Sequence, residues 1–206
     1  MSIFLIRHGE TELNAARVFQ PPETPLSERG RGQAERLARR LSGAGIARIL
    51  ASDLERAVMT AGALGRASGA PVLREPLLQE RNFGALRGRP YAGIGLDPFA
   101  EDYEPPGGES WPVFRERVAR AWARVCEAAA ATPGSLAVVT HGLVCRALVS
   151  RHLALAPGSP APAGFGNTAL TVVGARPPWR VTLLACTAHL AEGVGAAGTA
   201  APERNA

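Results

Sequence analysis

Lysine is absent from this 206-residue sequence, and every one of its 23 basic side chains is an arginine. Aromatic residues are scarce at 5%, and the arginines are spread along the chain instead of forming one dense tract. Proteins that bind single strands of nucleic acid combine a basic groove with aromatic side chains that stack on the bases. The net charge of +5 therefore predicts a small anionic substrate and no nucleic acid.

Cysteines and long apolar runs are also few. The three cysteines, Cys126, Cys145 and Cys186, form no C-x-x-C pair, which argues against a disulfide framework or a structural zinc site. We expect them to be buried thiols. The longest apolar runs, such as 136–139 and 169–173, have the length of strands and cannot span a bilayer. With no secretory leader before Arg7, we expect a cytoplasmic protein without a membrane partner.

Strand-like and helix-like segments alternate along the chain, which is typical of an α/β fold. We predict a three-layer sandwich over residues 1–190, with a mostly parallel central sheet flanked by helices, and a flexible tail over 191–206. Between the regular elements, residues 75–108 form an excursion rich in glycine and proline, with one short helix expected. Ser52 and Glu55 predict a capping box. The predicted strands are 2–6, 46–51, 71–74, 136–140, 169–173 and 180–185, and the predicted helices are 28–42, 53–68, 110–131 and 143–153.

Two histidines follow predicted strands in the same way. Arg7-His8-Gly9 comes directly after the first strand, and His141-Gly142 comes after a later one. Sites in open α/β sheets form beyond the carboxyl ends of the strands, so we expect the two histidines to face each other. One His-Gly pair is weak evidence in a chain with 23 glycines and four histidines. The repeated register and the arginine beside His8 strengthen the prediction.

A longer set of motifs accompanies the two histidines, in one order along residues 1–190. It comprises residues 5–11, 14, 25–27, 30, 33–34, 52–57, 60–61, 78, 80, 83–84, 88, 107–110, 138–142 and 167–168. This set resembles the histidine phosphatase superfamily, the phosphoglycerate-mutase-like proteins. The resemblance implies an α/β fold, a phosphohistidine intermediate, a small phosphorylated metabolite as substrate, and no metal or other cofactor.

The resemblance implies a role for each matched residue. His8 would be the nucleophile that attacks phosphorus, and Glu80 the general acid that protonates the leaving alkoxide. Arginine guanidinium groups match two phosphoryl oxygens at once and supply the charge that a metal gives other phosphoryl-transfer sites. The groups that would bind the phosphate are Arg7, Arg56, His141, Asn14 and Gly142.

Three departures from the superfamily pattern favour its phosphatase branch. Pro21 and Pro22 stand where a glycine commonly follows Gln20, and proline has no N–H to offer a substrate. Leu143 replaces the asparagine that mutases usually carry, and residues 90–106 hold no counterpart of the mutase insertion that grips a carboxylate. We therefore expect a phosphoric monoester hydrolase of the histidine acid type.

Two alternatives remain open at this stage. One is a cofactor-dependent phosphoglycerate mutase, and the other is a catalytically silent binding protein, against which the intact set of site residues argues. The sequence names neither the substrate nor the oligomeric state. Arg81, Arg87 and Arg89 hint at a second acidic group on the substrate, but their composition favours a solvated basic loop.

Overall fold

Six strands form one sheet in the computed structural model, which describes residues 1–191. The strands are β1 (Ser2–Arg7), β2 (Ile46–Ala51), β3 (Val72–Arg74), β4 (Ser135–Thr140), β5 (Leu170–Gly174) and β6 (Val181–Cys186). Their order across the sheet is β3-β2-β4-β1-β5-β6. The first four strands in that order pair in parallel, whereas β5 is antiparallel to both of its neighbours. The predicted, mostly parallel sheet is confirmed.

Five α-helices accompany the sheet within the described residues. They are α1 (Glu12–Ala15), α2 (Glu28–Leu41), α3 (Glu55–Ser68), α4 (Trp111–Ala130) and α5 (Gly142–Arg151). Ser27 caps α2 by accepting a hydrogen bond from the Gly30 N–H at 3.0 Å, and Ser110 occupies the corresponding position before α4. Helix α1 was not predicted, because a four-residue turn is too short to show an apolar period.

Alternation along the central strands gives the sheet two buried faces. In β1, Ile3 and Leu5 join the core beneath α4 and α5, whereas Phe4 and Ile6 join the core beneath α2 and α3. Helix α2 packs on the sheet through the predicted apolar face, with Leu37 fully buried. Burying a side chain of this size contributes about 1.5–3 kcal/mol. The three-layer sandwich is therefore confirmed.

The predicted capping box before α3 is wrong. The helix begins at Glu55 with Leu54 as its N-cap, and no side chain caps it. Ser52 directly follows β2, and its N–H donates to the Val139 carbonyl at 2.9 Å. Its hydroxyl lies 2.8 Å from a ring nitrogen of His141 and also accepts from the Leu54 N–H at 3.3 Å, so it contacts the N-cap residue but does not cap the helix.

The excursion after β3 contains two short 3-10 helices, Pro76–Leu78 and Gly84–Leu86, where one helix was expected; a third 3-10 helix, Ala188–Leu190, follows β6. None of the described helices combines the length and the apolar content needed to cross a bilayer. Of the three cysteines, Cys145 is buried as predicted, whereas the other two are half-buried; all three are free thiols. The predicted tail lies outside the described residues, apart from Ala191.

Candidate active site

The two histidines meet at the carboxyl ends of β1 and β4, which are neighbouring parallel strands. Arg7 pairs with Thr140 at the end of the ladder, and the His8 N–H donates to the Thr140 carbonyl at 2.9 Å. The register of the sheet therefore sets the two side chains that follow the strands beside each other. The ring centroids of His8 and His141 are 5.1 Å apart.

His8 is held in one tautomer and one orientation. Its Nδ1 lies 2.7 Å from the Gly9 carbonyl, which can only accept, so Nδ1 carries the proton and Nε2 keeps its lone pair. The Gly9 N–H donates to the Thr60 hydroxyl at 3.0 Å, which fixes the loop. Burial, followed by the nearby charges of Arg56 and Arg7, holds the pKa of His8 well below its ordinary value. The ring is therefore a neutral nucleophile near pH 7.

The loop after His8 rests directly on the start of α2. A Cβ placed on Gly9 would lie 2.6 Å from the Gly30 carbonyl oxygen, and one on Gly30 would lie 2.0 Å from the Glu10 carbonyl oxygen. Such distances are far inside van der Waals contact, so both positions require glycine. The Glu10 carbonyl also accepts from the Ser27 N–H at 2.9 Å.

Arg7 and Asn14 are oriented by each other and by a residue before β5. The Arg7 guanidinium donates to the Phe165 carbonyl and to Asn14 Oδ1, the latter at 3.3 Å. Asn14 Oδ1 also accepts from Asn167 Nδ2 at 2.7 Å. Because the oxygen faces these two donors, the NH2 group of Asn14 is the part left to bind an acceptor in the cavity that Asn14 lines.

Arg56 lies in the first turn of α3, as predicted, and is buried. Its guanidinium donates to the Pro21 carbonyl at 3.2 Å. The proline that lacks an N–H thus contributes its carbonyl oxygen, which orients an arginine. Burial lowers the pKa of Arg56 to about 10, so the side chain remains charged at neutral pH.

His141 is placed differently from what was expected of a phosphate ligand. Its ring is completely buried beside His8 and is not among the groups that line the open cavity. The Ser52 hydroxyl accepts from the Leu54 N–H at 3.3 Å and can then donate its own proton to His141 Nε2. That arrangement leaves Nδ1 as an N–H donor. Burial and the charge of Arg56 keep the pKa of His141 well below its ordinary value.

Glu80 comes from the excursion and reaches the cavity beside α5. Its two carboxyl oxygens accept from the N–H groups of Leu143 and Arg81, each at 3.1 Å. Burial raises the pKa of Glu80 above its ordinary value, against these two donors, which lower it. Within the described residues, Glu80 is the single carboxylate that lines the cavity. It is suited to carry a proton to a leaving group.

The backbone after His141 is only partly free to bind phosphate. The Leu143 N–H donates to Glu80 and is not free to bind phosphate. Gly142 does line the cavity, and a Cβ at that position would lie 3.7 Å from Arg7 Nε and 3.9 Å from Glu80 Oε2. Of the two backbone groups, Gly142 therefore remains the candidate.

Three buried nitrogens of this cluster have no protein partner within residues 1–191. They are Arg7 Nε, Arg56 Nε and His141 Nδ1. Buried polar groups are nearly always hydrogen-bonded, and leaving one unsatisfied costs about 1–3 kcal/mol. Arg7 and Arg56 line the cavity, and a tetrahedral oxyanion presents several acceptor oxygens at once, so one such group would satisfy the two arginine donors together.

A cluster of aromatic side chains lines one side of the cavity. Phe19 is central to it, with ring centroids 4.5 Å from Phe83, 4.4 Å from Tyr91 and 5.9 Å from Phe99. Sequence reasoning missed this aromatic cluster because its members come from separate loops without periodicity. Arg17 and Arg87 are exposed residues that also line the cavity.

A clamp from α4, which sequence reasoning also missed, holds the segment that carries Glu80. Arg117 pairs with both carboxylate oxygens of Glu109 at 2.7 Å. The same guanidinium donates to the carbonyls of Leu77 and Gln79 at 2.8 Å and of Glu80 at 3.2 Å. Burial alone would raise the pKa of Glu109, but the hydrogen bonds from Arg117 bring it below its ordinary value. Glu109 lies in the superfamily motif at residues 107–110, but no local sequence pattern indicated a role for Arg117.

Within residues 1–191, no group of three or more histidine, cysteine, aspartate or glutamate side chains lies close enough together to hold a metal ion. The cationic groups of the cavity are arginines.

The model of the histidine phosphatase superfamily (branch 1) matches residues 3–184 of this sequence. The match spans both histidines, Arg56 and Glu80. The chain belongs to the histidine phosphatase superfamily. The resemblance drawn from the sequence motifs is therefore confirmed.

Relatives in the superfamily carry both mutase and phosphatase names. The probable phosphoglycerate mutase GpmB of Yersinia enterocolitica is 34% identical over 169 residues, which are 76% of this chain and 77% of that protein. Mycobacterial glucosyl-3-phosphoglycerate phosphatase is 28% identical, with a TM-score of 0.71 over 84% of this chain and 90% of that one. The α-ribazole phosphatase of Shigella flexneri is 26% identical, with a TM-score of 0.77 over 91% and 97%. These similarities indicate an enzyme of phosphatase or mutase type.

Proposed function

We propose that this protein is a phosphomonoester hydrolase of the histidine acid type that works through a phosphohistidine on His8. The observation that carries the proposal is the set of three unpartnered donors around a neutral histidine, with a carboxyl of raised pKa on the same cavity. Because the pKa of His8 is lowered, its Nε2 remains unprotonated in mildly acidic solution. A catalytically silent relative would have no need of this combination.

In the first step, the phosphoryl group of the ester lies against Arg7, Arg56 and Asn14, which line the cavity. The His8 Nε2 lone pair forms a bond to phosphorus while the bond from phosphorus to the ester oxygen breaks. Glu80 gives its proton to that oxygen, so the alcohol leaves neutral. The two guanidinium groups balance the charge on the equatorial oxygens.

In the second step, water replaces the alcohol. Glu80, now ionised, accepts a proton from the water as its oxygen attacks phosphorus. The bond between phosphorus and His8 breaks, inorganic phosphate leaves, and both residues return to their starting protonation states. No step requires a metal ion, so we expect activity to survive EDTA.

The choice of hydrolase over mutase rests on the surroundings of the phosphoryl site. A mutase must hold the phosphorylated enzyme away from water and seat a second acid. Leu143 lines this cavity with an apolar side chain, Pro22 offers no N–H, and no mutase-type insertion is present between 90 and 106. The relatives called probable mutases support the second candidate, a cofactor-dependent phosphoglycerate mutase.

Product analysis separates the two candidates. The purified protein is given 3-phosphoglycerate with a bisphosphoglycerate primer, alongside a panel of phosphate monoesters. We expect phosphate release to exceed formation of 2-phosphoglycerate by a wide margin, with the fastest release from another monoester. Isomerisation faster than phosphate release would make the mutase the better assignment. The cytoplasmic location, the metabolite partner and the absence of nucleic-acid binding stay predictions.

A further inference from the structure

Two loops meet at the mouth of the cavity and present arginines there. The segments 17–19 and 88–91 are joined by backbone hydrogen bonds: Gly88 N–H to the Phe19 carbonyl at 2.7 Å, Tyr91 N–H to the Arg17 carbonyl at 2.8 Å, and Phe19 N–H to the Arg89 carbonyl at 3.0 Å. Arg17 has a φ of +55°, a conformation that non-glycine residues adopt only where their surroundings hold them. The two segments at the mouth are therefore held together by backbone hydrogen bonds and do not form a loose basic loop.

The charges around the cavity exceed what one phosphoryl group needs. Arg7 and Arg56 lie at the base and suffice for a phosphate dianion. Glu80 is the lining carboxylate, and burial favours its neutral form. Arg17 and Arg87 line the same cavity, and neither is among the ion pairs found within the described residues. Two positive charges are thus left at the mouth.

Arg81, which the sequence grouped with Arg87 and Arg89, is not available to a substrate. It is buried, and its guanidinium donates to the carbonyls of Glu109 at 3.0 Å, Pro98 at 3.3 Å and Tyr103 at 2.6 Å. Arg89 is exposed and does not line the cavity. Arg81 and Arg87 both line the cavity, but the Arg81 guanidinium is bound to the three carbonyls, so Arg87 is the one of these three arginines that can bind a substrate there.

The aromatic cluster around Phe19 also lines this cavity. Arg17 lies over the Tyr91 ring, 5.8 Å from its centroid, and Tyr91 packs against Phe19. Such a surface favours an apolar, planar carbon skeleton, which gains from ring contacts and from displacing water. The cavity thus combines a phosphoryl site, an aromatic surface and a second cationic site.

We propose that the preferred substrates are phosphate monoesters whose apolar, ring-bearing skeleton carries a second acid group, bound by Arg17 and Arg87. This inference rests on the proposed hydrolase function and specifies its substrate class. A carboxylate placed there makes charge-assisted hydrogen bonds to two guanidinium groups. General attraction of anions by the basic mouth would act on every phosphate ester and gives no preference of this kind.

The test compares phenyl phosphate with phenyl phosphates that carry a carboxymethyl group at the 2-, 3- or 4-position. The methylene insulates the carboxylate from the ester oxygen, so the leaving group changes little. We expect kcat/KM to be at least ~10-fold higher for the best diacid, since it gains charge-assisted hydrogen bonds that phenyl phosphate cannot make. In R17M/R87M this ratio should fall to about 1. In R89M, which removes one exposed positive charge outside the cavity, the ratio should stay as in the wild type.

A ratio near 1 in the wild type for all three isomers would overturn the inference, as would an equal loss on both substrate types in R17M/R87M. Titration calorimetry with the corresponding phosphonates, which cannot be hydrolysed, separates this inference from the proposed function. Tighter binding of the diacid phosphonates without any hydrolysis of the esters would support the second site and reject the hydrolase. Hydrolysis of the esters with no preference for the diacids would support the hydrolase and reject the second site.

Discussion

The floor of the cavity and its wall are held by different kinds of interaction. The floor, residues 7–9 and 141–142, follows two neighbouring parallel strands, and its positions are set by the ladder between β1 and β4. The wall, residues 76–109, contains no strand and only two 3-10 turns. Side chains that reach across the sequence hold it, notably Arg81, Arg117 and Glu109.

This difference has a consequence for the chemistry. The nucleophile belongs to the floor, whereas the general acid belongs to the wall. A ladder of buried strands moves little when one side chain is changed, but the wall depends on a few hydrogen bonds from α4. Substitutions should therefore be able to displace the acid while the nucleophile and the fold remain intact.

The largest effect is expected at the floor. His8→Ala removes the atom that bonds to phosphorus, so kcat should fall at least ~10³-fold on every phosphate ester. His152→Ala is the control, because His152 is a half-buried histidine outside the cavity. It should retain activity close to that of the wild type. Turnover by the His8 variant near the wild-type rate would contradict the mechanism.

Glu80→Gln should show the separate role of the wall. A general acid matters most when the leaving group is poor, so alkyl phosphates should lose ~10²-fold or more and p-nitrophenyl phosphate much less. Steady-state rates on both substrates measure the difference. An equal loss on both would place the acid elsewhere. Glu10, Glu75 and Glu109 do not line the cavity.

The floor could be predicted from the sequence; in the wall, Glu80 could be predicted, but the contacts that hold it could not. Strand periodicity and the two His-Gly pairs located His8 and His141, because an apolar strand and the polar residues that directly follow it are local signals. The clamp of Arg117 on Glu80 joins residues 37 positions apart, and no local pattern reports such a contact. Ser52 shows the same limit. The residues that follow it predicted a helix cap, but its hydroxyl hydrogen-bonds to His141.

Arg117→Met should reproduce the Glu80 pattern at smaller amplitude. Arg117 is a positioning residue, so its loss should loosen Glu80 and lower rates on alkyl phosphates ~10-fold, with p-nitrophenyl phosphate less affected. Arg117→Lys should recover part of the loss. Arg120→Met is the matched control, as Arg120 is an exposed residue of the same helix. Equal losses on both substrates would indicate a general structural role instead.

The smallest effect concerns stability in acid. His8 and His141 have lowered pKa values in the fold, and the pKa of His189 is lowered to about 4 by burial and by Arg40. Below about pH 6.5 the unfolded chain therefore binds more protons than the folded one. The free energy of unfolding should fall by about 1.4 kcal/mol per pH unit for each such histidine. Burial raises the pKa of Glu80, so the fold binds that proton more readily than the unfolded chain does, which opposes part of this loss.

Urea unfolding of the wild type and of His8→Ala, at several pH values between 7 and 5, measures that slope. The variant should lose stability with falling pH less steeply, by about 1.4 kcal/mol per pH unit. Parallel slopes in the two proteins would mean that His8 titrates normally in the fold.

The central claim is that the phosphoryl group passes through His8 Nε2, and rapid quenching tests it most directly. The enzyme is mixed with a phosphate monoester for milliseconds, quenched in base, digested and sequenced by mass spectrometry. We predict a phosphate adduct that is stable in base, labile in acid and located on His8. An adduct on a different residue, or rapid turnover with no adduct at any time, would contradict the account.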